Sequence, residues 1–202
     1  MIEVVISAGI IVLMSALILA SIPTLRRQTK TNDAASTILV AAQDVREKSV
    51  ATKKFFTTDK FPSYGAYFDT AAGSNKRVIL YADCVDDDTG DGTLNNSDTF
   101  AYDPSSNACG APSPNGLVET RVLDPQVSIQ QLRLIGPVTT NVQRAYIEFV
   151  PPQPSIWISG WNPPGTVVTP LDYGELEITV QDDQSGNTRK VHLWTSGNMN
   201  IE

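Results

Sequence analysis

Residues Val4 to Ile22 carry no charged side chain. Nineteen residues rise about 28 Å as a helix, close to the roughly 30 Å hydrocarbon thickness of a bilayer. No feature restricts the chain more, because a helix that is apolar all round needs lipid or protein on every side. A secretory signal would start with a basic stretch, carry a shorter apolar core and end at a small-residue cleavage site. Here the acidic Glu3 precedes the run and Pro23 follows it, so the segment reads as a retained helix. Glu3 itself is at home at a helix N-terminus, where free amide hydrogens favour negative charge by about 0.3–1 kcal/mol. In lipid an acidic side chain needs a partner, and no Lys or Arg precedes Arg26. The partner is therefore the chain's own amine at Met1 or a group on another molecule.

The remainder of the 202 residues suffices for one ordinary domain with a single core. A net charge of −7 disfavours bulk nucleic-acid binding. Thirteen Pro, thirteen Gly and two Cys, Cys84 and Cys109, suit a loop-rich exported domain with one disulfide, the alternative being a free buried pair. The one His, His192, falls in the alternating stretch KVHLW and is expected on the solvent side of a strand. No nucleophile elbow, phosphate loop or His-based metal motif is present, so the chain is not expected to be an enzyme.

After Pro23, Ala34, Ile38, Ala41, Ala42 and Val45 recur at helical spacing with polar residues between them. This predicts an amphipathic continuation of the first helix, kinked or locally unwound at Pro23 but not ended there. Unbroken, the helix would run about 75 Å, too long for a domain of this size to cover, so its first half must project. The organisation predicted is an N-terminal helix over residues 1–53, with an apolar half (1–25) and an amphipathic half (26–53), and a β-rich head over 54–202. Short strands are predicted at YGAYFD, RVILYAD, TFAYD, LVETRVLD, VSIQQLRL, RAYIEFV, SIWIS, ELEITVQ and RKVHLW, the last two forming a hairpin with one wet face. The proline-rich segment around Trp157 and Trp161 is expected to cross a sheet edge or form an ordered surface loop. The fold class is α+β: a long kinked helix packed on an antiparallel sheet domain.

The stretch IEVVISAGIIVLMSALILASIP, with its early Glu, its late Pro and a β domain downstream, resembles the N-terminus of the type IV pilin and type II secretion pseudopilin superfamily. PSYGAYFD followed by VILYAD and an acidic loop is similar, more loosely, to minor pilins and minor pseudopilins. Family chains carry a basic leader that a prepilin peptidase removes, and their mature N-termini typically read Phe-Thr-Leu-Ile-Glu. Ile2 and Glu3 match the last two of those five, two positions early; either two residues precede this N-terminus or processing differs. Arg26, Arg27 and Lys30 taken alone place the C-terminal side in the cytoplasm, and a removed basic leader reverses that orientation.

The resemblance implies a homo-oligomeric helical filament with helices in its core and β domains on its surface. It also implies residence in the bacterial inner membrane before assembly, dealings with the prepilin peptidase and pilus assembly machinery, and an extracellular filament afterwards. It assigns assembly roles to Met1, Glu3, Pro23, Arg26 and Arg27. Glu3 of one subunit would neutralise the terminal amine of a neighbour, and Arg26 and Arg27 would pair with acidic groups, intersubunit ones included. One buried charge pair is satisfied at one axial offset only, whereas Leu against Leu slides, so Glu3 would set register. The alternatives are a surface binding module on a single-helix anchor, and a minor pseudopilin of a secretion or DNA-uptake system.

DDTGDGTLNNSD, residues 87–98, fits a twelve-residue calcium loop. Ligands would come from Asp87, Thr89, Asp91, the Thr93 carbonyl, Asn95 and Asp98, with Gly92 at the sharp turn. The same residues also suit a solvated turn whose side chains cap their own backbone. Asn95-Asn96-Ser97 is a glycosylation sequon as well. A bond between Cys84 and Cys109 would enclose this loop.

Overall fold

The computed structural model describes residues 2–51, 62–83, 117–150, 155–162, 166–168 and 173–202. A single helix, α1, runs from Ile2 to Val50 without interruption. It passes through Pro23 with no unwound stretch, so the expected continuation holds. It stops short of residue 53, with Ala51 N–H still donating to the Glu47 carbonyl.

Eleven strands follow: β1 (Ser63–Asp69), β2 (Arg77–Asp83), β3 (Leu117–Val122), β4 (Val127–Ile135), β5 (Thr140–Val142), β6 (Arg144–Val150), β7 (Ser155–Asn162), β8 (Thr166–Val168), β9 (Glu175–Asp182), β10 (Thr188–Trp194) and β11 (Met199–Ile201). They form two antiparallel sheets, β3-β2-β1-β6-β7-β8 and β11-β10-β9-β4-β5. The chain is an α+β protein with one long helix on antiparallel sheets, as its sequence predicts.

Strand alternation decides which side chains meet. Leu176, Ile178 and Val180 of β9 face Val191 and Leu193 of β10 and Leu132 and Leu134 of β4 on the inner side of the five-stranded sheet. Tyr64, Ala66 and Phe68 of β1, Ala145, Ile147 and Phe149 of β6, and Ile158 of β7 line the inner side of the other. The C-terminal half of α1 closes this core, contacting β1, β2 and β6 of one sheet and β4, β9, β10 and β11 of the other. Its buried stripe is Ala34, Ala35, Ile38, Ala41, Ala42 and Val45. Four alanines in that stripe let the helix backbone lie close to both sheets. Ser49 then donates to the Phe149 carbonyl at 2.8 Å and Arg46 to that of Gly197 at 3.1 Å.

Several details differ from the sequence expectation. The strand predicted at SIWIS is present but longer: Trp157 and Trp161 stand on β7, which pairs with β6 from Ser155 to Trp161, with β8 beside it at the sheet edge, so the described part of this segment is strand and not surface loop. The outer side of the β9–β10 hairpin is not simply wet. Glu177 is buried there because Arg133 (2.9 Å) and Lys190 (3.1 Å) close over its two oxygens. The short strands β5 and β11 carry too few residues to show alternation in the sequence.

Candidate assembly surface

The helix divides where its partners end. From Ala34 to Val45 the apolar stripe is buried, whereas Ile2 is 77% exposed and Leu17 70%. The intervening Ile6, Ile10, Ile11, Val12, Leu13 and Met14 are also exposed. This half is long and apolar enough to cross a membrane, and among the described residues its apolar stretch is not buried by the head. Ser15 bonds back to the Ile11 carbonyl at 2.8 Å, so its hydroxyl presents no unsatisfied donor to an apolar surrounding. Glu3 sits in the first turn with no ion pair among the described residues. Arg26 lies 23 residues on, about 34 Å along the axis, so the helix cannot neutralise Glu3 from its own basic end.

Where α1 meets the head, three turns converge on it. The Lys76 ammonium, after the β1–β2 turn, binds Asp183 at 2.7 Å and the Pro125 carbonyl. Lys30 on the helix reaches Gln126 at 2.8 Å and Asp124 at 3.4 Å in the β3–β4 turn. The Asp183 amide donates to the Gln126 carbonyl at 2.7 Å, tying the β9–β10 turn to its neighbour. Within that last turn Asp182 accepts from the Ser185 amide at 2.6 Å, the Ser185 hydroxyl at 2.8 Å and the Gln184 amide at 3.1 Å. The Ser185 amide and hydroxyl hold the Asp182 carboxyl below the usual range against its burial, with help from the Arg27 charge. Asp183 is likewise lowered, by Lys76 and then by the Ser128 hydroxyl.

Arg26 and Arg27 flank this collar. Arg26 is exposed, and Arg27 donates to the Gln184 amide oxygen at 3.5 Å. Neither is ion-paired to a carboxylate among the described residues. Met1, the calcium-loop residues Asp87, Thr89, Asp91, Thr93, Asn95 and Asp98, and the pair Cys84 and Cys109 lie outside the described residues. So does the TFAYD segment. Pro23 lies within the unbroken helix.

Two clusters escaped the sequence reading. His192 lies on the outer side of β10, opposite the buried Val191 and Leu193 as expected, but it has partners there: its Nδ1 lies 2.5 Å from Glu175, its Nε2 3.4 Å from Glu202, and its ring stacks 5.6 Å from Trp194. Trp194 donates to the other Glu175 oxygen at 3.0 Å. On the outer side of the six-stranded sheet, Tyr67 donates to Asp69 at 2.7 Å while Arg144 approaches the same carboxylate at 3.3 Å and covers the Trp161 ring at 4.5 Å. Burial, then the bond to Asp69, raises the Tyr67 phenol far above its ordinary value. The odd-numbered side of ELEITVQ and the period-2 spacing of Tyr67 and Asp69 were visible; the cross-strand partners, set by register over tens of residues, were not. Among the described residues no group of three His, Cys, Asp or Glu side chains is arranged to hold a metal.

Set against models of protein families, characterised proteins and solved structures, the chain gives no match in any of the three comparisons.

Proposed function

We propose that this protein is the subunit of a type IV pilus-like filament, with residues 1–25 of many copies packed in the filament core and the β heads outside. The observation that carries the reading is the division of α1, one half buried by its own head and the other an apolar cylinder with no cover among the described residues. Bare, that half would expose far more contiguous apolar surface than a soluble monomer tolerates. A bilayer before assembly and neighbouring helices after it supply the cover. Glu3 favours the filament over a simple anchor, because an anchor gains nothing from a carboxylate at membrane depth. In the filament Glu3 would meet a neighbour's N-terminal amine and fix the axial offset.

The test is Glu3→Ala and Glu3→Gln in cells that express the protein, with sheared filaments quantified beside membrane-held subunit. Filament yield should fall at least tenfold in both, with undiminished subunit in the membrane and an unchanged head melting temperature. Wild-type yield in both variants would remove the register role.

A further inference from the structure

The helix leaves the head beside a polar cavity of about 340 Å³ lined by Gln28, Thr31, Gly186, Asn187, Thr188 and Arg189. Its walls come from α1 and from the β9–β10 turn. Arg189 stands at one margin, its Nε donating to the Asn32 amide oxygen at 2.6 Å. Arg27, the residue before Gln28, is outside this lining and donates to the Gln184 amide oxygen, two residues before the lining residue Gly186. The collar's two lysines, by contrast, are each paired with a carboxylate, Lys30 with Asp124 and Lys76 with Asp183. Both arginines hydrogen-bond only neutral oxygens among the described residues, although the Arg27 charge also acts on the Asp182 carboxylate, and each keeps donors of its five-donor fork to offer. Gln28, Asn187 and Thr188 add neutral donor groups to the walls.

Depth points to the ligand. The uncharged run extends to Leu25, and Gln28 lies three residues on, about 4.5 Å along the axis. The headgroup layer adds roughly 5–8 Å on each side of the hydrocarbon core. A helix whose apolar run fills the core places this cavity at the level of lipid phosphates. The chain is acidic as a whole, yet residues 23–32 contain Arg26, Arg27 and Lys30 and no carboxylate, so positive charge gathers where the membrane surface would be.

We propose that the cavity between α1 and the β9–β10 turn is a phosphate site that holds the headgroup of an anionic phospholipid, clamped by Arg27 and Arg189, while the subunit waits in the membrane. The proposal rests on the reading that residues 1–25 lie in a bilayer before assembly. Planar guanidinium forks suit phosphate oxygens, and a held headgroup would fix the rotation of the head about the membrane normal. Arg26 provides the internal control. It carries the same charge at the same depth but points roughly 170° away from the midline of Gln28 and Thr31 at 100° per residue.

The experiment places the full chain in nanodiscs of phosphatidylglycerol and phosphatidylcholine in equal parts, then extracts it with mild detergent and counts retained lipid by native mass spectrometry. Wild type should retain phosphatidylglycerol at least fivefold over phosphatidylcholine. Arg189→Gln and Arg27→Gln should each lose most of that preference, Arg189→Lys should restore part of it, and Arg26→Gln should change it less than twofold. Circular dichroism confirms that each variant is folded. Equal loss in Arg26→Gln would mean diffuse charge and overturn the site. No preference in wild type would overturn it too, as would inorganic phosphate at 10 mM stripping all retained phosphatidylglycerol, which would assign the cavity to free phosphate. Vesicle flotation separates the two levels: a chain that fails to float defeats the membrane reading, whereas one that floats without lipid preference defeats the site alone.

Discussion

Asp182 is buried at the end of β9 and takes three hydrogen bonds from the turn that follows. Asp182→Ala removes their shared acceptor and should destabilise the head by about 1–3 kcal/mol, measured by chemical unfolding of the full chain in detergent. The same carboxylate gives a pH signature. Its folded-state pKa, like those of Asp183 and Glu177, lies below its ordinary value. For Glu177, burial opposes the charge, and the bonds from Lys190 and Arg133 outweigh it. A depressed carboxylate stabilises the fold fully above its unfolded pKa, about 4, and loses that contribution as pH falls through the lower folded value. The melting temperature should therefore drop as pH falls below about 4, and Asp182→Asn should flatten that drop. Gly160 makes the opposite kind of prediction. A Cβ there would lie 2.7 Å from Val142 Cγ1 and 2.9 Å from Leu134 Cδ1, where the two sheets meet. Gly160→Ala should cost about 1–3 kcal/mol by overpacking, read from the same unfolding curves.

At the scale of the element, α1 has two jobs with a boundary between them. Ile38 is fully buried, on the helix half that packs against both sheets. Ile38→Ala should destabilise the head by about 2–5 kcal/mol through the lost contacts and the cavity left behind. Leu17→Ala should leave head stability within about 0.5 kcal/mol, because that side chain is 70% exposed on the half of α1 that the described head does not bury, yet it should lower filament yield. Ile38→Ala and Leu17→Ala having the same effect on head melting would contradict the division. Both halves of the helix were legible in the sequence because each has a one-dimensional signature: unbroken apolarity in the first, 3.6-residue spacing of Ala34, Ile38, Ala41 and Val45 in the second. The strands with clear alternation, β9 and β10 above all, were legible for the same reason. The strand SIWIS around Trp157 was legible, but the longer segment was read as an edge crossing or loop because its prolines weigh heavily in a sequence reading. They flank β7 and leave Ser155–Asn162 free of proline to pair along β6. The β9–β10 turn was foreseen, but its cavity with α1 was not, since Gln28 and Arg189 are far apart in sequence and each is unremarkable alone.

The whole molecule is a two-sheet head clamped around half of a helix whose other half is bare, with a polar collar marking the change. Among the described residues nothing in the head covers the bare half, so in the proposed function that surface would pass from lipid to copies of itself without refolding the domain. The most direct measurement is cryo-electron microscopy of filaments sheared from cells expressing the protein. The account predicts helical filaments in which residues 2–25 lie in a central bundle, with Glu3 within about 4 Å of a neighbour's N-terminal amine, the distance of a direct ion pair. A protein found only as membrane-held monomer under every growth condition, or filaments with this helix half outside the core, would contradict it.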